Sequence, residues 1–239
     1  MKQIGVIGGL GPLASAYYLE LLTSMTKAER DQDHIDVYMY SCPKIPDRTS
    51  YILNPEHCES PMPRMIEVCK MLERDGVSII TIPCITAHFF HKQLEENCGV
   101  YIINAINETV KYLMAHHVHK VGIMATDGTI QTKLFQNKIE IAGMTAIVPD
   151  QVHQQKVMDI IYKQVKRGKP VEKDLVCDIE AYLKANGAEV ILLGCTELSI
   201  AKREFQLGSG FLDVLEVLAS CAVQECGELK EEYRELITK

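Results

Sequence analysis

Short β-branched runs alternate with longer amphipathic stretches along this chain of 239 residues, and that alternation limits its fold more than any other feature. The runs are Ile4 to Ile7, Ile35 to Tyr40, Val77 to Ile82, Val121 to Met124, Val190 to Leu193 and, more weakly, Thr145 to Val148. Between them Met65, Cys69 and Leu72 recur at spacings of four and three, and Leu175, Ile179 and Leu183 at spacings of four, which is helical periodicity. Near-continuous apolar strands joined by helical crossovers need cover on both faces. The expected fold is therefore α/β, with mainly parallel sheet flanked by helices.

An internal repeat divides the chain. QIGVIGGLGP at the start is similar to KVGIMATDGT at 120 to 129, each a strand breaking into a glycine-containing turn. Later in each half a helix ends on Asp75-Gly76 or Asn186-Gly187, glycine being favoured just past a helix end. A strand follows, VSIITIPC or AEVILLGC, ending on a cysteine with threonine within two residues, at Cys84 and Cys195. The repeat points to two similar halves related by a pseudo-twofold, and the expected α/β domains are residues 1–100 with 210–239 and residues 101–209. Open parallel sheets bind ligands at the carboxyl ends of their strands, so Cys84 and Cys195 are expected to face each other across one cleft.

Charge and cysteine usage narrow the function. A net charge of -7 argues against a phosphate-backbone binder, so no nucleic-acid partner is expected. The N-terminal apolar run is broken by glycine at once, which predicts neither a signal peptide nor a membrane span and a cytoplasmic protein. Nine cysteines without a CxxC predict reduced thiols, and seven of them read as small apolar residues on helix or core faces. The remaining two stand where a helix N-terminus would lower a thiol's pKa. Inverting a carbon acid takes two bases on opposite faces of the carbon, one ionised and one protonated, and a cysteine from each half meets that requirement.

GGLGP at 8 to 12, PDRT at 46 to 49, PCITAH at 83 to 88, ATDGT at 125 to 129, VKRG at 165 to 168 and GCTEL at 194 to 198 occur in an order that resembles the aspartate/glutamate racemase family over nearly the whole chain. The resemblance implies a cofactor-independent amino-acid racemase, homodimeric, with Cys84 and Cys195 as acid and base between two domains. It further implies a substrate pocket built from Leu10, Arg48, Ile85, Thr86, Thr129, Lys166, Thr196 and Glu197, with Arg48 and Lys166 receiving carboxylates. Lys163, one turn from Lys166, is the alternative cation. Thr132 is a second candidate hydroxyl beside Thr129, and His88 a supporting residue.

Two departures and one exclusion complete the reading. Ile85 stands where the family commonly has asparagine, removing an amide beside Cys84 and predicting weaker binding or a shifted preference; Leu10 for methionine is a milder change. His116, His117 and His119 cluster without a carboxylate or cysteine at ligand spacing, so no metal is expected. A decarboxylase, which retains one cysteine, is disfavoured by the presence of both. A non-catalytic amino-acid-binding homologue is the alternative that Ile85 keeps open.

Overall fold

The structure, a computed structural model, describes residues 2–205, 207 and 209–238. Its first sheet is built on β1 (Ile4–Gly8), which is buried throughout and pairs in parallel with β2 (Val37–Ser41) on one side and β3 (Ile79–Thr81) on the other. The backbone around Ile102 extends this sheet beyond β3: the Ile80 amide donates to the Tyr101 carbonyl at 2.8 Å, and the Ile103 amide to the Ile80 carbonyl at 2.9 Å. The second sheet runs β5 (Thr145–Ile147), β4 (Lys120–Met124), β6 (Val190–Leu193) and β7 (Phe211–Asp213), also parallel. Numbered within each half, both sheets have the order second, first, third, fourth. The predicted pseudo-twofold is thus visible as shared topology.

The crossovers are helical, as the periodicity requires. α1 (Pro12–Met25) follows β1, and a proline at its first position suits a site with no helical partner for an N–H. α2 (Arg48–Leu53) and α3 (Met62–Arg74) lie between β2 and β3, and α3 turns Met65, Val68, Cys69 and Leu72 inward. α4 (His91–Glu95) and α5 (Ala105–Ala115) lead to the second half. There α6 (Asp127–Gln131), α7 (Gln136–Ile141), α8 (Gln151–Met158) and α9 (Lys173–Ala185) precede β6, with Val176, Ile179 and Leu183 of α9 buried. α10 (Thr196–Glu204) and α11 (Val214–Cys226) complete the chain's helices. Gly76 and Gly187, at φ +79° and +94°, end α3 and α9 in the left-handed conformation that glycine adopts without strain.

The chain exchanges cover between its halves. Asp213, at the end of the second sheet, caps α11 by accepting from the Leu215 amide, yet α11 packs on α1, α5 and β3 of the first half. The expected domain limits therefore fall a few residues away from where the backbone changes sheet. Residues 101–103 belong to the first sheet, and β7, just past 210, to the second; α11 returns, followed by residues 228–230, which pair with the end of α1 through a bridge between Thr26 and Leu229. β7 is not among the expected strands, because Phe211–Asp213 passes directly into the apolar residues of α11 with no turn to mark the strand off. The halves also touch where α2 meets α6. A Cβ on Gly128 would lie 3.2 Å from the Thr49 Cα, a close approach that only glycine allows without displacement.

Candidate active site

Every strand points its carboxyl end at the same cleft, so the turns that leave β1, β3, β4 and β6 line it. Gly9 holds φ +87° with the Cys42 backbone against it, leaving no room for a Cβ, and the turn carries Leu10 into the cleft. Cys84 and Cys195 line the same cleft, both buried. The two strand-terminal thiols are brought together, as the repeat predicts.

The thiols have different surroundings. Cys195 occupies the N-cap position of α10, and its Sγ donates to Glu197 Oε2 at 2.9 Å; the Thr196 hydroxyl donates to the same oxygen at 3.3 Å. Burial first, then the Glu197 carboxylate, push the Cys195 thiol well above its ordinary value, with Lys166 acting in the opposite sense. The sequence expectation that the helix N-terminus lowers this pKa is thus overturned, since a dipole worth about 0.3–1 kcal/mol yields to desolvation beside a carboxylate. Cys84 opens a 3-10 turn, Ile85–Phe90, and not an α-helix, so it faces only a short dipole. His88 Nδ1 reaches the Cys84 carbonyl at 3.1 Å, and burial, followed by His91, holds this imidazole neutral with its pKa lowered to about 4. His88 supports the Cys84 backbone.

Arg48 is fixed in place. Its Nη1 donates to the carbonyls of Ile45 at 3.3 Å and Pro46 at 3.0 Å, its Nη2 to the Leu10 carbonyl at 2.8 Å, and its Nε has no partner. Burial works against the guanidinium charge, but Cys84, Asp47 and Glu197 outweigh it and raise the pKa. Lys166 is the more exposed cation, with about a quarter of its side chain open to solvent. Its ammonium lies 3.3 Å from Asp47 Oδ2 and 3.9 Å from the centre of the Tyr162 ring. Lys163 pairs with Asp159 at 2.8 Å on the exposed side and is absent from the cleft lining. Burial acts against the Lys166 charge and is exceeded by Glu197, Tyr162 and Asp47, so this lysine stays protonated.

Hydroxyls join the halves beneath the thiols. Thr86, Thr126 and Thr129 form a triangle with oxygen separations of 2.9, 3.1 and 3.1 Å. Thr126, which caps α6, lines the cleft, whereas Thr129 is fully buried behind it and touches no open space. Thr132 is further removed, its hydroxyl donating to the Gly128 carbonyl at 2.6 Å. In the GGLGP turn the Gly9 amide donates to Ser15 Oγ at 2.8 Å, and the carboxylate facing Gly11 is the chain's own Glu197.

Four lining residues escape the sequence reading: Asp47, Thr49, Thr126 and Tyr162. Asp47 and Thr49 flank Arg48 in PDRT, and Tyr162 stands one helical turn before Lys166, so the spacing held a usable signal. Away from the cleft, His116 stacks on Tyr112 at 3.9 Å, and no group of His, Cys, Asp or Glu among the described residues is arranged to hold a metal. Of the seven other cysteines Cys69 is buried in an apolar core and Cys42, Cys98, Cys221 and Cys226 pack half-buried against one, as the apolar reading expects, whereas Cys177 is exposed and Cys58 joins neither core. Among the described residues no helix is long and apolar enough to cross a membrane.

The profile of the family described as Asp/Glu/Hydantoin racemase matches residues 7–222. The chain belongs to this family. The broad specificity amino-acid racemase RacX of Bacillus subtilis is 24% identical over 226 residues, covering 92% of this chain and 96% of that protein. The structure of the Picrophilus torridus aspartate racemase superposes with a TM-score of 0.84 at 31% identity, covering 98% of each chain. An aspartate racemase homologue from Pyrococcus horikoshii gives a TM-score of 0.76 at 24% identity, over 94% of this chain and 99% of that one, a likeness of fold.

Proposed function

We propose that this member of the family racemises aspartate or glutamate without a cofactor, using Cys84 and Cys195 as its two bases. The observation that carries the reading is the pair of buried thiols at equivalent strand ends in one cleft, of which Cys195 alone holds its proton against a carboxylate. In one direction Cys84, as thiolate beside the Arg48 guanidinium, takes the α-proton from one face. Cys195 gives its thiol proton to the opposite face of the planar carbanion, leaving Cys84 as thiol and Cys195 as thiolate. The reverse direction uses the same groups with roles exchanged. Arg48 supplies fixed positive charge for the growing negative charge, which is most effective where water is excluded. Lys166 is available for a second carboxylate, and Glu197 or Asp47 for the ammonium. The names of the B. subtilis and P. torridus relatives support amino-acid racemisation, the latter aspartate in particular.

Ile85 favours a second reading, a binder or a racemase of less polar amino acids, because it puts a hydrocarbon against Cys84 where an amide would orient the substrate. Incubation in deuterium oxide separates these. Wild type should exchange the α-hydrogen of aspartate or glutamate and invert it, while Cys84→Ala and Cys195→Ala should each lose inversion by at least about a thousandfold, the scale of a missing acid or base. No exchange by wild type on any amino acid would leave binding as the function.

A further inference from the structure

Tyr162 belongs to the cleft but has no part in the proton transfer. It lies in a π-helical turn, Asp159–Gln164, which tightens to 3-10 geometry over Val165–Arg167 and stops at Gly168 with φ +64°. π-helical turns inside helices concentrate at functional sites because they re-aim side chains. Here the result is that Tyr162 and Lys166, four residues apart, both turn into the cleft. The Lys166 ammonium rests 3.9 Å from the centre of the Tyr162 ring. The Tyr162 hydroxyl donates to both oxygens of Asp47 at 3.2 Å, and Asp47 is at once the cap of α2 and the ion-pair partner of Lys166 at 3.3 Å. One phenol thus touches the cation and its counter-ion, and spans from the second half to the first.

This arrangement has a consequence for selectivity. Arg48 has both Nη atoms on main-chain carbonyls, so it is anchored, whereas Lys166 is held by side chains, in contact with Asp47 and the ring face and within the field of Glu197. A substrate side-chain carboxylate reaching Lys166 would take the place that Asp47 holds. The Tyr162 hydroxyl would keep Asp47 from following, and the ring would keep the ammonium in the cleft. We propose that Tyr162 is a positioning residue that holds Lys166 where it receives the second carboxylate of an acidic amino acid, setting the preference for dicarboxylic over neutral substrates. The proposal rests on the racemase reading above, and it assigns that reading's substrate selectivity to a residue outside the proton-transfer pair.

Two non-reacting ligands test it independently of turnover: α-methylaspartate, which has both carboxylates but no α-hydrogen, and α-aminoisobutyrate, which lacks the second carboxylate. Calorimetric titration of wild type should favour the first by at least about tenfold, the order of one well-placed ionic contact. Tyr162→Phe, which retains the ring, should keep that preference to within about threefold. Tyr162→Leu should cut it to less than about twofold, since it removes the ring face on which the ammonium rests, with unchanged affinity for α-aminoisobutyrate. Should the leucine variant fail to fold, Tyr162→Gln replaces it, with melting curves for each. A preference that survives loss of the ring, or equal loss of affinity for both ligands, overturns the proposal, as does a wild type without preference. Failure of deuterium exchange with the ligand preference intact would instead overturn the racemase reading and leave Tyr162 as the selector of a binding protein.

Discussion

Cys195 donates its thiol hydrogen to Glu197 Oε2 at 2.9 Å, which makes the two cysteines of the cleft chemically unequal. Because the carboxylate raises the thiol, Glu197→Gln should let Cys195 ionise more readily. Inversion that uses Cys195 as acid is lost as pH rises through its pKa, so the alkaline limb for that enantiomer should move to lower pH by about one unit, the scale of a neighbouring charge. The opposite enantiomer, which needs the Cys195 thiolate, should react faster near neutrality. Superimposable pH profiles of wild type and variant, measured from both enantiomers, would show that Glu197 does not govern the proton.

Arg48 couples binding to folding. A purely substrate-facing arginine could be removed with little loss of stability, but this one holds the carbonyls of Leu10, Ile45 and Pro46 together. Arg48→Ala should therefore destabilise by about 3–5 kcal/mol, as expected when buried partners of a charged donor are abandoned. Arg48→Lys, with a single ammonium, should recover less than half of the loss. Melting temperatures alongside kcat/KM would expose a simpler role if Arg48→Ala proved inactive at wild-type stability.

Ile85 is 1% exposed and packs in the main apolar cluster. Asparagine there gains an amide beside Cys84 but buries it, so Ile85→Asn should lower stability by about 1–3 kcal/mol. It should nevertheless raise kcat/KM for aspartate or glutamate, tenfold for each roughly 1.4 kcal/mol of transition-state contact regained. If instead wild type prefers an apolar amino acid and the variant merely loses that activity, the substrate assignment fails while the two thiols keep their roles.

A buried ion pair outside the cleft predicts how stability changes with pH. Glu216 on α11 pairs with Lys202 on α10 at 2.6 Å, and burial, then Asp213, push it from 4.5 to about 7 against the pull of Lys202. The folded state therefore binds this proton more tightly than the unfolded chain. The stability it contributes is complete below pH 4.5 and is lost as pH rises towards 7, at no more than about 1.4 kcal/mol per pH unit. Glu216→Gln should flatten the fall in melting temperature between pH 5 and 8. An unchanged difference between the two pH values would show that other groups cause it.

Much of the architecture is legible in the strands because strands buried on both faces must be mostly apolar, and β1, β3 and β6 are, with Thr81 the one polar side chain among them. Cys84 and Cys195 are legible for the same reason, since each ends such a strand. What escapes is set by geometry that no period encodes. Tyr162 reaches the cleft through a π-helical turn, Thr126 lies in the turn where Thr129 was expected, and Asp47 enters as a helix cap. The direction of the Cys195 shift was misread because the sequence places a helix after the thiol but does not reveal that Glu197 folds back upon it.

The return of α11 makes each half unfinished without the other. The helix grows from the end of β7, yet Leu215, Leu218 and Val223 are fully buried in a core that includes α1 of the opposite half. Removing it would strip a lid of apolar side chains, each worth about 1.5–3 kcal/mol, from a sheet to which it is not hydrogen-bonded. A chain built like two clasped hands melts as a single unit, so severing it between the repeats should yield fragments that are soluble and ordered only when mixed.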